Sequence, residues 1–198
     1  MKKYLYLLLL IFTITLVLSA CLSDTDNTLE ESERLELIDS DEYYRIYNTY
    51  STHVRYDIYD KNGEIVMSDE TDRPLRINMF CDDIVDIRIG MGTGVAVHKY
   101  YDAVKNIFSQ EYCYVLTAKE DLVAFIDVPE KEPFKNRKVV VRNIIDKCLF
   151  YKEYYLDFSN VDTPVIDAEF SNDSTSLRLT FLSGEAQTET FEILYLYK

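Results

Sequence analysis

The chain has 198 residues, 47% of them hydrophobic, and 21 Lys and Arg stand against 35 Asp and Glu, for a formal charge of −14. Five glycines and four prolines are too few for a collagen-like or low-complexity chain, so one packed core is expected. Nucleic acid is not an expected partner, because there is no basic surplus to displace counterions from phosphates, and anionic lipid headgroups repel so acidic a chain.

Met1-Lys2-Lys3 is a short positive start, Tyr4 to Leu18 is an apolar run, and Ser19-Ala20 are small. This three-part layout is that of a secretory signal over residues 1–20, and the run is too short to span a bilayer comfortably. Leu18-Ser19-Ala20-Cys21 resembles the lipobox of bacterial lipoproteins. The resemblance implies that Cys21 becomes the first residue of the mature protein and carries a diacylglyceryl thioether, usually with a third acyl chain on its amine. Two or three chains, at about 0.8 kcal/mol per buried methylene, hold a protein at a membrane firmly. The expected location is therefore the cell membrane, lipid-anchored and facing outside the cytoplasm.

From Leu22 to Glu42 nine acids face one base, Arg34, so residues 21–42 read as an acidic tether that buries little apolar surface. Thr28 and Glu31 have capping-box spacing, which suits a short helix through Leu35 and Ile38 as well as a frayed linker.

Residues 43–198 read as one all-β domain, because short runs alternate apolar with polar residues between recurrent turns. Val54, Tyr56 and Ile58 share one face of the first clear strand, and Asp60-Lys61-Asn62-Gly63 supplies hairpin chemistry before Ile65-Val66-Met67 returns. Val85, Ile87 and Ile89 alternate with Asp86 and Arg88, and Leu177, Leu179 and Phe181 with Arg178 and Thr180. Leu122 to Ile126 and Val139 to Val141 are continuous apolar runs, as expected where both sheet faces are covered. Pro129 and Pro133 mark a long loop whose Lys131, Lys135, Arg137 and Lys138 are expected to be solvated. Phe191 to Tyr197 is apolar on both faces and is expected to be buried, against the strand near Tyr43 or by a second protein.

Strands end at Tyr59-Asp60, Tyr101-Asp102 and Ile145-Asp146, 42 and 44 residues apart, each after a Val-led run. These endings resemble the strand-ending Trp-Asp of WD-repeat propellers, and Phe170-Ser171-Asn172-Asp173-Ser174 resembles a recurrent propeller hairpin with Ser174 in place of Gly. The resemblance implies antiparallel four-stranded meanders in a propeller-like fold, either a partial ring or a small one. Regular strand spacing in a β-sandwich or open barrel would give the same period.

Gly90, Gly92 and Gly94 form a Gly-x-Gly-x-Gly run, but Val95 onward continues as a strand and the Lys-Ser/Thr pair of a phosphate loop is missing. A flexible strand connection is the expected role, and this is the best place for a ligand. Cys81 and Cys148, beside Phe80 and Phe150, are expected to be small buried hydrophobes, and Cys81, Cys113 and Cys148 allow at most one internal disulfide. His53 and His98 are the only imidazoles, so no Cys-His pair, catalytic residue, metal ligand set or cofactor site is assigned. Two tyrosine clusters, Tyr43, Tyr44, Tyr47 and Tyr50, and Tyr151, Tyr154 and Tyr155, suit either packing or an interface.

The expected function is a lipid-anchored binding or scaffolding domain with a protein or envelope partner and no catalysis. The alternatives are a cell-surface hydrolase using carboxylates and a purely structural envelope component.

Overall fold

The fold is a computed structural model that describes residues 35–49, 52–92, 94–129 and 137–197. The signal segment 1–20, Cys21 and residues 22–34 of the tether lie outside the described residues, as do Tyr50, Thr93, Lys131 and Lys135. Fifteen strands and no helix are found among the described residues.

Sheet 1 contains β1 (Glu36–Ser40), β2 (Tyr44–Asn48), β3 (Val54–Tyr59) and β4 (Ile65–Thr71). Sheet 2 contains β5 (Leu75–Cys81), β6 (Ile84–Gly90), β7 (Ala96–Asp102) and β8 (Ile107–Cys113). Sheet 3 contains β9 (Val115–Lys119), β10 (Leu122–Asp127), β11 (Lys138–Asn143) and β12 (Tyr151–Tyr155). Sheet 4 contains β13 (Val165–Phe170), β14 (Ser176–Ser183) and β15 (Thr188–Tyr195). Every sheet is an antiparallel meander whose strands pair in chain order, and no sheet closes into a barrel. The all-β, propeller-like expectation of serial meanders holds, with three four-stranded sheets and one of three strands.

Three buried clusters join the sheets in series. Tyr44, Ile46, Tyr56 and Ile58 of sheet 1 pack with Ile77, Val85, Ile87 and Tyr101 of sheet 2. Tyr100 and Tyr112 of sheet 2 pack with Val123 and Ile144 of sheet 3 and its following turn. Leu122, Ala124, Val139 and Val141 of sheet 3 pack with Leu177, Leu179, Phe181 and Leu194 of sheet 4. Each such side chain contributes about 1.5–3 kcal/mol on burial, so these interfaces hold the small sheets together. Among the described residues, none of the three clusters joins sheet 4 to sheet 1.

The repeat lies at the third strand of its sheet. Asp60 follows β3 and accepts the Asn62 and Glu64 amides, both at 2.9 Å, while Gly63 takes the left-handed φ of +78° that the turn needs. Asp102 ends β7 and accepts the Lys105 amide at 2.8 Å. After β11, Asn143 Oδ1 accepts the Ile145 and Asp146 amides at 3.1 and 2.9 Å, and Asp146 accepts the Cys148 amide at 2.8 Å. The third ending is offset because Asn143 caps the strand before Asp146 caps the turn. In the β13–β14 turn Ser174 has φ +53°, the conformation that glycine favours, and Asp173 binds the Thr175 amide and hydroxyl and the Ser171 hydroxyl. The Ser171 bond and those from Thr175 hold the Asp173 carboxyl down at about 2.

Several expectations change. Strand β1 lies inside the acidic stretch 21–42, so ordered pairing starts ahead of Tyr43; its five residues are exposed and are held by the ladder to β2. Cys81 and Cys148 are exposed and not buried, and all three described cysteines are free. A bulge between Met79 and Cys81 turns Cys81 outward, and Cys148 sits in the turn that Asp146 caps. Arg137 and Lys138 are not solvated: Arg137 is buried and donates to the Val161 carbonyl, and Lys138 Nζ contacts Glu153 at 2.6 Å and Asp127 at 3.2 Å. Strand β15 does not pair with the strands near Tyr43; among the described residues it pairs with β14 alone.

Candidate functional site

Two places could serve a binding function: the open side of sheet 4 and the glycine-rich end of sheet 2. In sheet 4, Leu177, Leu179 and Phe181 of β14 point to sheet 3, so their neighbours Arg178 and Thr180 point away. The register sets Thr180 beside Phe191, Arg178 beside Ile193 and Ser176 beside Tyr195, which places these three β15 residues on the outward face. Phe191 is 59% exposed, Ile193 43% and Tyr195 52%, whereas Leu194 and Leu196 are buried. Ile166, at a bulge in β13, adds another exposed apolar side chain. The far edge of β15 carries no neighbouring strand among the described residues.

The end of β15 is tied to sheet 3. Lys152 Nζ donates to the Tyr195 and Leu196 carbonyls at 2.8 and 3.1 Å, and the Tyr154 hydroxyl donates to the Tyr195 carbonyl at 2.7 Å. Burial pushes the Tyr154 phenol up to about 12. Tyr151 and Tyr155 are exposed, and their hydroxyls both donate to Glu153, which also receives Lys138. The second tyrosine cluster is thus brought together on β12 around one carboxylate, with Tyr154 reaching the neighbouring sheet. Hydrogen bonding from Lys138, then from the two phenols, holds the Glu153 carboxyl at about 2.

The first tyrosine cluster is not brought to that surface. Tyr43 and Tyr44 are each 6% exposed and pack in the core between sheets 1 and 2. Tyr47 is half-buried on β2.

In sheet 2, β6 ends at Gly90 and β7 begins at Ala96, so the glycine run is a strand connection and no helix follows it. The Gly90 amide donates to the Pro74 carbonyl at 2.8 Å, and an added Cβ there would stand 3.4 Å from the proline ring. Gly92 and Gly94 have φ of +89° and +77°. Gly90, Gly92 and Gly94 line a cleft of about 330 Å³ with Arg76 and Arg88. A second cleft, of about 160 Å³, shares Arg88 and Gly94 with the first and adds His98, Tyr114, Asp162 and Thr163, together with apolar Leu116, Ile126 and Val165. His98 Nδ1 lies 3.0 and 3.2 Å from the two oxygens of Asp86.

Arg76, Arg88 and His98 are not set together by the sequence reading: Arg88 reads only as the polar face of a strand and His98 only as an imidazole without a cysteine partner. The signal that could have found them is the hairpin turn at Asp82-Asp83, which sets Arg76 opposite Arg88, and the β6–β7 connection, which sets Arg88 opposite His98.

No protein-family model and no curated protein matches the chain. Among solved structures it is similar to Hsv2 of Kluyveromyces lactis, at 10% identity over 83% of this chain and 49% of that one, with a TM-score of 0.38. It is also similar to the computationally designed Ika4 protein, at 12% identity over 88% and 95% of the two chains, with a TM-score of 0.37. The chain thus spans about half the length of Hsv2. Similarity at these scores identifies no shared site.

Proposed function

We propose that the chain is a lipid-anchored, extracytoplasmic lipoprotein whose β domain binds or scaffolds a protein partner without catalysis. The observation that carries this reading is the open side of sheet 4: sheets 1, 2 and 3 each have a strand beyond the third, whereas β15 has none among the described residues and bears exposed Phe191 and Ile193. An unpaired edge beside an apolar face is a template for an added strand, with backbone bonds giving affinity and side-chain contacts giving choice. Glu189 and Glu192 stand on this edge strand itself, so the fitting occupant is an extended partner segment alternating apolar with basic residues. A second copy of so acidic a chain fits less well. The anchor rests on Leu18-Ser19-Ala20-Cys21.

The test is photocrosslinking in native membranes, with a photoreactive aromatic placed at residue 193 and, as control, at residue 61 in the β3–β4 turn. A protein adduct is expected at 193 alone, and Phe191→Lys is expected to abolish it while shifting stability by less than about 0.5 kcal/mol. Equal labelling at both positions would overturn the docking surface. Cys21→Ala is expected to release the chain from membranes; full retention would overturn the anchor.

A further inference from the structure

We propose that the glycine-rich end of sheet 2 binds a phosphate-type oxyanion through Arg76 and Arg88. The two arginines lie directly opposite each other on β5 and β6, and His98 lies opposite Arg88 on β7, so three basic side chains form one row across the sheet. Like charges placed opposite one another on adjacent strands destabilise a sheet. A chain with 35 carboxylates could easily have relieved that repulsion, yet among the described residues neither Arg76 nor Arg88 forms an ion pair or hydrogen bond. Asp86, two residues before Arg88 on β6, is engaged by His98 at 3.0 Å, and Asp162 lines the adjoining cleft without an ion pair to either arginine. An ionised carboxylate only accepts, so Nδ1 of His98 holds the hydrogen and Nε2 remains as the ring's second polar site.

The surroundings suit an anion. Both arginines are exposed and line one cleft, and each guanidinium presents a planar fork of donors that matches a tetrahedral oxyanion. Gly92 and Gly94 carry no side chain into that cleft, and an added Cβ at either would meet nothing within 4 Å, so a ligand can approach the backbone there. The adjoining cleft begins at Arg88 and is lined by Leu116, Ile126 and Val165, which offers an apolar seat beside the charge. A free phosphate and an organic phosphate monoester share the oxyanion; the apolar seat separates them.

The test uses inorganic phosphate and phenyl phosphate against chloride at constant ionic strength, read by thermal unfolding and calorimetry. Phosphate at ten times its Kd is expected to raise the wild-type Tm by about 3–6 °C. R76Q/R88Q is expected to lose at least ten-fold in affinity while being no less stable than wild type without phosphate, because the repulsion is gone. R178Q, on sheet 4, is expected to bind as wild type does. Tighter binding of phenyl phosphate assigns a monoester as the ligand, and equal binding assigns free phosphate. No rise in wild type, or an equal rise in R76Q/R88Q, would overturn the site.

Discussion

The centre of sheet 3 is covered on both faces: Val123 meets Tyr100 and Tyr112 of sheet 2, while Ala124, Val139 and Val141 meet Leu177, Leu179 and Phe181 of sheet 4. Even Arg142 is buried there, with its guanidinium 5.6 Å from the Tyr112 ring centre and Nη1 donating to Gln110 at 2.8 Å. Sheet 4 has only one such face. In β10, β11 and β14 the sequence pattern matches this burial, continuous where both faces are covered and alternating where one is. Strand β15 is the exception: Phe191, Ile193 and Tyr195 on its outward face are exposed, whereas Leu194 on the other face is buried. That exposed apolar face is the docking surface proposed above.

The largest effect expected from this contrast comes from cutting the face that sheet 4 does cover. Phe181, 1% exposed and 5.1 Å from the Phe158 ring, is expected to cost about 3–5 kcal/mol as Phe181→Ala, lowering the Tm by on the order of 10 °C. Ile193→Ala, on the bare face, is expected to shift the Tm by a degree or two at most, and equal losses would mean that both faces are covered. The covering that sheet 3 has and sheet 4 lacks is probed by Tyr112→Phe. The Tyr112 hydroxyl donates to the Ile144 carbonyl at 2.7 Å in a buried setting, so its loss is expected to cost about 1–3 kcal/mol in urea unfolding. The smallest effect belongs to the outer strand β12. The Glu153 carboxyl is held at about 2, below its ordinary 4.5, by Lys138, Tyr151 and Tyr155. Its contribution is therefore complete above about pH 4.5 and is lost as the pH falls toward 2. Glu153→Gln is expected to lower the Tm slightly at neutral pH and to flatten the acid limb of a Tm against pH series.

Local chemistry was the legible part of this fold. Asp60 and Gly63 announce their turn because side-chain acceptance and positive φ act within four residues, and the spacing of Asp60, Asp102 and Asp146 reports the meander period for the same reason. What sequence reasoning missed depends on register or on the ladder. A bulge turned Cys81 outward, and backbone pairing alone ordered β1 in a stretch whose composition reads as a tether. Tyr43 and Tyr44 were ambiguous because an amphipathic ring suits a core as well as a surface; only the packing against sheet 2 decides. For the candidate site, Gly90, Gly92 and Gly94 could be read directly, whereas Arg76 and Arg88 meet only after two strands pair.

Among the described residues each strand's ladder partners are adjacent in the chain, so each meander's ladders are complete once its own strands have been made. No strand of sheets 1 to 3 has to wait for the carboxyl terminus to find its ladder partner; side-chain ties such as those from Lys152 and Tyr154 to the Tyr195 carbonyl form last. Such a chain can acquire order from front to back while it is still being delivered, with each finished unit serving as the template on which the next one condenses.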